Sequence, residues 1–300
     1  MDSEVLFLFL QQGIASGIVS GSVYALLALA IVMIFKTSEV PNFAQGEVFM
    51  VAAYAALFLI VFYGLPMWVV IPAALLFTVA GMMLFEAGIL RRVKKALGEP
   101  VNLVIATLGL SFLLRGLVRQ TGLGDTPRSF PSLVSTDPVQ IGQAMLTRLD
   151  LAIVGTAVAV MAAVFLLFNF TRAGRAMRAL GMNPKAAALV GIDIRRTHAF
   201  VWGLSGLVSA ISALLIAPKI LMTPEMGHVA ILAFAAAIVG GFNSLPGAVL
   251  GGFIIGIAEN LVGLFVSASA IVVTPFLAIM AVLVLRPQGL LGGRPQMRKV

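Results

Sequence analysis

Apolar residues in this chain come in blocks rather than in stripes. The blocks fall near 8–35, 45–63, 67–85, 101–120, 149–169, 199–222, 229–242, 247–267 and 270–285, each bounded by charge, Pro or Gly. Most match the roughly 20 residues that a helix needs to cross a bilayer. An all-round apolar helix of that length belongs in lipid or in the middle of a bundle. The block at 229–242 is too short to span. It is therefore expected to be a broken or re-entrant helix, tolerated only where protein or a cavity surrounds it.

The segment after Asn42 shares this character. It follows a long helix and the break KTSEVPN, and Asn42 is a good capping residue. The later segment follows the break LMTPEMGH, with Thr223 placed to cap and Pro224 at a favourable first helical position. Helix, break, short helix and two further helices describe 8–120, and they describe 199–285 as well. The block at 149–169 links these units and inverts the second. The expected fold is an all-α polytopic membrane protein, a single domain over 1–300. It has about eight to nine transmembrane segments, broken or re-entrant helices and an inverted-topology repeat.

Composition excludes the soluble alternatives. The 300 residues are 60% hydrophobic and 11% charged, where soluble domains carry about 25% charge. The net charge of +8 would suit nucleic acid in a soluble protein. Here its distribution argues otherwise. Arg91, Arg92, Lys94 and Lys95 form one cluster; Arg172, Arg175, Arg178, Lys185, Arg195 and Arg196 form a second. Arg286, Arg294, Arg298 and Lys299 form the third. Three basic stretches between apolar blocks mark cytoplasmic loops, so no nucleic-acid partner is expected. Asp2 and Glu4 place the N-terminus outside, the first block is read as a retained helix, and the C-terminus is inside. The 121–148 stretch is external, and the 170–198 loop is cytoplasmic.

Candidate chemistry is sparse. With no Cys, thiol catalysis and disulfides are excluded. Neither a GxxxxGK[ST] loop nor an HExxH occurs, so no catalytic, metal or cofactor site is expected. Gly203-Leu204-Ser205-Gly206 has the look of an intramembrane serine nucleophile. However, His198 is seven residues away, about 10 Å along a helix, and His228 is expected on the other side. Gly13, Gly17 and Gly21 form two GxxxG steps, as do Gly247–Gly251 and Gly252–Gly256. These permit close helix packing within the chain or, for the 13–21 stripe, against a second membrane subunit. Glu259 and Arg115 are ionisable groups within apolar blocks, each either paired structurally or, for Glu259, placed on a transport path. The loop TRAGRAMRALGMNPKAAALVGIDIRRTH reads as two short helices under the membrane, with Asn183-Pro184 as cap and start.

Four stretches together resemble the LivH-type permeases of branched-chain amino acid ABC importers. They are GSVYALLALAIVMIFKTSEVPNFAQGEVFMVAAY, GRAMRALGMNPKAAALVGID, AAAIVGGFNSLPGAVLGGFIIGIAEN and LRPQGLLG. Many members have His where this chain has Gln45, so sister permeases for urea or short amides remain an alternative. A self-sufficient ion-coupled transporter is a further one. The resemblance implies a bacterial inner-membrane subunit without ATPase activity of its own. A second related permease, two cytoplasmic ATPases that use ATP, a periplasmic substrate-binding protein and membrane lipid would be its partners. Lys185-Ala186-Ala187 and Gly191 keep the spacing of the EAAxxxG coupling motif of ABC importers, with Lys for the acidic residue. Arg175, Arg178, Asn183, Pro184, Ala187 and Gly191 are thus the expected ATPase-coupling residues. An amino acid crosses as a zwitterion, and half-helix N-termini offer unpaired N–H groups to its carboxylate. The expected path residues are Asn42, Phe43, Gln45, Gly46, Gly227 and Glu259. Valine at Gly46 should then narrow the path and leave assembly intact.

Overall fold

The structure, a computed structural model, describes residues 3–97 and 99–293. Asp2 and the tail cations Arg294, Arg298 and Lys299 lie outside the described residues. The helices are α1 (Ser3–Ser38), α2 (Gln45–Tyr63), α3 (Met67–Phe85), α4 (Arg91–Leu97), α5 (Pro100–Gln120), α6 (Arg148–Phe170), α7 (Arg172–Met182), α8 (Pro184–Leu189), α9 (Ile194–Ile216), α10 (Val229–Gly240), α11 (Leu245–Phe265) and α12 (Thr274–Leu285). A π-helical turn at Glu86–Leu90 joins α3 to α4. Among the described residues, seven helices are long and apolar enough to cross a membrane, and two shorter apolar helices join them. The chain is a polytopic all-helical membrane protein.

Helix α1 is the central post. Its middle residues, Ala25 to Ile34, are buried on every side, which an all-apolar sequence permits. Helix α9 runs antiparallel to it: Ser212 Oγ donates to Val23 O at 3.2 Å and Ser205 Oγ to Ala30 O at 3.0 Å. Helix α11 crosses α1 through the glycine steps. A Cβ on Gly252 would lie 2.4 Å from Ala25 Cα, and one on Gly256 would lie 2.4 Å from Gly21 Cα. The adjacent step, Gly247 and Gly251, faces α10 instead, with Cβ positions 2.3 Å from Gly240 O and 2.0 Å from Ala236 O. One residue turns a helix by about 100°, so two overlapping glycine pairs serve two neighbours. The 13–21 stripe is therefore occupied by α11, not left open for a second subunit. Gly252→Val must separate α1 from α11, and overpacking of this kind costs ~3 kcal/mol. We expect no assembled protein in the membrane. Gly81→Val, which meets nothing within 4 Å, should accumulate normally. Equal abundance of the two on immunoblots of membranes would refute this seam.

The first two basic clusters gather at one end, and Arg286 of the third joins them. Arg91 Nη2 donates to Arg195 O at 2.8 Å, and Lys36 Nζ donates to Asn243 O at 3.1 Å. Leu290 N–H donates to Val239 O at 2.8 Å, bringing the segment after α12 to the same end. The opposite end holds a two-stranded hairpin, Pro138–Ile141 with Ala144–Thr147. Its edge clips to α1 by reciprocal bonds between the Gln12 amide and the Met145 backbone. The hairpin interrupts the stretch read as an external loop; a two-residue turn with Gly142 at φ +64° permits it.

Candidate functional site

The break between α1 and α2 folds back into the protein. Gln45 Nε2 donates to Ser205 Oγ at 3.1 Å and, very closely, to Ser209 Oγ. Ser209 lies between the two residues of α9 that bond α1, so it is level with about residue 26, roughly 18 Å from the Ser38 end. The six residues 39–44 climb that distance, within the ~3.3 Å that each extended residue allows. Helix α2 thus begins in the middle of the bundle. The second break does the same: a turn at Met226–His228 leads into α10, and Gly227 meets Gly46. The two breaks touch each other.

Their local chemistry differs from the expectation. Asn42 does not cap α2, because the helix starts at Gln45 with Ala44 in the cap position. Asn42 Oδ1 accepts from the Ala44 N–H at 3.1 Å, and its Nδ2 donates to Gln45 Oε1 at 2.8 Å. Thr223 does not cap the second break with its side chain either; Met226 N–H donates to its carbonyl in a turn. Asn42 and Gln45 are fully buried and matched by protein partners. Gly46 is packed against backbone, with a Cβ position 2.1 Å from Gly227 O. In this conformation the first turn of α2 is covered on that side by the Gly227 carbonyl. Of the expected path residues near the breaks, Phe43 presents a large side chain at the surface, 39% exposed. Its ring stacks on Phe234 at 5.4 Å and its N–H donates to Thr107 Oγ1 at 3.4 Å. Glu259 stands elsewhere. It faces the Tyr24 hydroxyl from α11, and its buried Oε2 has no hydrogen-bond partner among the described residues.

Two cavities flank the breaks. The inner one, about 700 Å³, is lined by Glu39, Arg91, Lys94, Arg195, His198 and, at its upper wall, Leu103 and Thr107. The outer one, about 350 Å³, is lined by Arg119, Asp125, Thr223 and Glu225. Thr107 in the middle of α5 lines the first cavity and Arg119 near its end lines the second, so this helix runs from one cavity to the other. Between them, Arg115 Nη2 meets Glu47 Oε1 at 2.5 Å. Above it, Arg119 meets Glu225 at 3.0 Å. Burial raises the Glu225 pKa, but the hydrogen bonds from Arg119, the backbone and Thr223, together with the Arg119 charge, outweigh it and leave Glu225 below its ordinary value. Arg115 was singled out by its position in an apolar block, whereas its partner was missed. Glu47 was hidden because a single carboxylate near a helix start reads as ordinary dipole chemistry.

The loop after α6 folds as two helices, as the Asn183-Pro184 pair suggested. Asn183 Oδ1 accepts from the Lys185 and Ala186 N–H groups at 3.0 and 3.1 Å, with Pro184 at the first position of α8. Arg175 is exposed. Arg178 is turned inward: it donates to Phe168 O at the end of α6 and stacks over the Phe168 ring at 5.6 Å. Ala187 is buried, and Gly191 adopts φ +84°. Leu189 and Val190 at the tip are 89% and 76% exposed. Asp193 caps α9, and the Arg196 N–H holds its carboxylate below its ordinary pKa.

Residues 13–285 match the family described as branched-chain amino acid transport system, permease component. The high-affinity branched-chain amino acid transport system permease protein LivH of Escherichia coli K12 is 30% identical, covering 99% of this chain and 100% of its own. BraD of Pseudomonas aeruginosa, a permease protein of the same description, is 27% identical over 98% of this chain and 99% of its own. The probable LivH of Methanocaldococcus jannaschii is 29% identical over 84% and 81%. The chain belongs to the permease-component family of branched-chain amino acid transport systems.

Proposed function

We propose that this chain is the membrane subunit of an ATP-driven importer and forms part of the translocation path for branched-chain amino acids. It works with a second, related permease, two cytoplasmic ATPases and a periplasmic binding protein. The observation that carries this reading is the α7–α8 pair. Its apolar tip, Leu189 and Val190, projects at the end where the described cationic residues of the clusters gather. Apolar side chains left in water mark a contact surface, and positive loops mark the cytoplasm. The ATPases dock there. The N-terminus then lies outside and the C-terminus inside.

The path follows the α2–α5 face. Its inner vestibule is the cationic cavity below Thr107, and its outer mouth is the cavity at Arg119 and Glu225. Phe43 and Phe234 supply the apolar wall that an aliphatic side chain needs. The inverted repeat, 8–120 and 199–285 about the link at 149–169, is supported by two short helices that start at one mid-bundle contact. Glu259 has no place on this path, since its facing partner is Tyr24 of α1.

Cells lacking other leucine uptake, given this chain with its four partners, should accumulate radiolabelled leucine only while ATP is supplied. A cysteine at Ser3 should react with an impermeant maleimide from the periplasmic side. Urea uptake without leucine uptake defeats the substrate reading, and cytoplasmic-only labelling at residue 3 defeats the topology.

A further inference from the structure

Two opposite charges in the interior of a membrane protein are costly. Removing both from water is repaid only by good geometry and by full satisfaction of the remaining donors and acceptors. The Glu47–Arg115 pair falls short of that. Glu47 is 5% exposed and sits in the first turn of α2, where the broken helix begins. Only Nη2 of the Arg115 fork engages it. Arg115 Nε is buried with no hydrogen-bond partner among the described residues. Tyr54 Oη, also on α2, and Arg128 Nε are in the same condition. A bundle selected for stability alone gains more from an apolar pair.

The placement is as telling as the incomplete bonding. Thr107, about two turns before Arg115, lines the inner cavity; Arg119, one turn after it, lines the outer cavity. Arg115 therefore stands about 12 Å above the first and about 6 Å below the second along α5. The ion pair joins α5 to α2 at a height between the two cavities. A solute moving between α2 and α5 from the level of one cavity to that of the other meets that bridge.

A free amino acid is suited to part it. Its carboxylate presents two oxygens to a guanidinium fork, and such a bidentate bond would occupy both Nη2 and the unpaired Nε. Its ammonium supplies three donors to the carboxylate that Arg115 releases. Resting on the importer reading above, we infer that Glu47 and Arg115 form an exchangeable gate that opens to the zwitterionic head group of an α-amino acid. The carboxylate takes Arg115, the ammonium takes Glu47, and the aliphatic side chain lies toward the Phe43 ring. When substrate leaves, the two side chains re-pair and close the path. The net charge of the site stays zero through the cycle, because one ion pair is replaced by two and then restored. A solute with only one of the two charges leaves one partner buried and unpaired, so the gate also discriminates against amides and simple carboxylates.

The test uses the full importer in cells with no other leucine uptake, and uptake is normalised to assembled permease in the membrane. Wild-type cells without ATP-dependent leucine uptake would sink the importer reading, not the gate. Given wild-type uptake, Glu47→Gln keeps the shape and an acceptor for Arg115, so assembly should hold. Its uptake should fall ~10-fold or more, because the ammonium loses its counter-charge. The exchanged pair Glu47→Arg with Arg115→Glu restores a bridge of equal charge, and its thermal stability should exceed that of Arg115→Glu alone. It presents the charges in reversed order, so uptake should stay at least ~10-fold down. Wild-type uptake in the exchanged pair shows a structural bridge only and overturns the gate. If the exchanged pair fails to assemble, Glu47→Gln decides alone, and undiminished uptake there is equally fatal.

Discussion

Gly46→Val is expected to abolish the assembled permease, not merely to slow transport. A Cβ at residue 46 falls 2.1 Å from Gly227 O, 2.8 Å from Ala230 Cβ and 3.0 Å from Gly227 C. Two of those three atoms are backbone, held by the turn at Met226–His228. No rotamer change relieves the contact, so the two breaks must part. With them goes the seat of Gln45 between Ser205 and Ser209, leaving buried amide and hydroxyl groups unmatched at ~1–3 kcal/mol each. Overpacking adds ~3 kcal/mol, and the sum approaches the whole stability of an ordinary domain. Even Gly46→Ala should be severe. Gly227→Ala should be milder, since its Cβ would meet Gly46 C and O at 3.1 Å. Membrane abundance and melting temperature of the three variants should rank in that order. A stable Gly46→Val permease with reduced uptake would restore the sequence expectation, in which the valine narrows a path.

That expectation and the packing around residue 46 diverge for a physical reason. Sequence gave glycine as a place of close approach, but not what approaches. A substrate and a second backbone make the same demand on residue 46, and only the partner element decides. The helices themselves were legible, because a block of apolar residues ended by Pro, Gly or charge has few other solutions in lipid. Helix α2 was read to its final bounds, whereas α9 begins earlier than its block because Asp193 caps a charged first turn. The overlapping glycine pairs of α11 were visible as pairs, yet their assignment to α1 and α10 needed the helix phase and both neighbours. The hairpin at 138–147 was missed because its strands are four residues each. Its turn, Gly142-Gln143, also carries a weaker signal than Asn-Gly. Glu47 was missed because its partner lies 68 residues away in sequence. Long-range ion pairs leave no periodicity to find.

Leu189→Asp with Val190→Asp should disconnect transport from ATP hydrolysis while leaving the permease itself intact. The choice of residues follows from how α8 is built. Ala187, expected from motif spacing to meet the ATPase, is buried against the permease, so enlarging it disturbs the α7–α8 packing first. Gly191 sits at φ +84°, where any other side chain adds backbone strain before it meets a partner. Arg178 holds the end of α6 through Phe168 O and is spoken for as well. Loss of uptake in any of those three variants leaves docking and folding undistinguished. Leu189 and Val190 have almost no contacts of their own to lose. Two exposed apolar residues at a tip that the proposed topology puts in the cytoplasm are the anchors that a pocket on a soluble partner would bury. Central anchors of this kind are each worth about 2 kcal/mol or more at an interface. Two buried carboxylates in their place should lower ATPase affinity at least ~100-fold. Leucine uptake should fall to background, the ATPases should no longer co-purify, and the melting temperature of the permease should stay within a few degrees of wild type. Arg175→Glu, which changes an exposed charge on the neighbouring helix, should give a smaller, salt-dependent loss. Full uptake and co-purification in the double aspartate variant would remove the ATPases from this tip, and the proposed direction of the chain through the membrane would lose its main support.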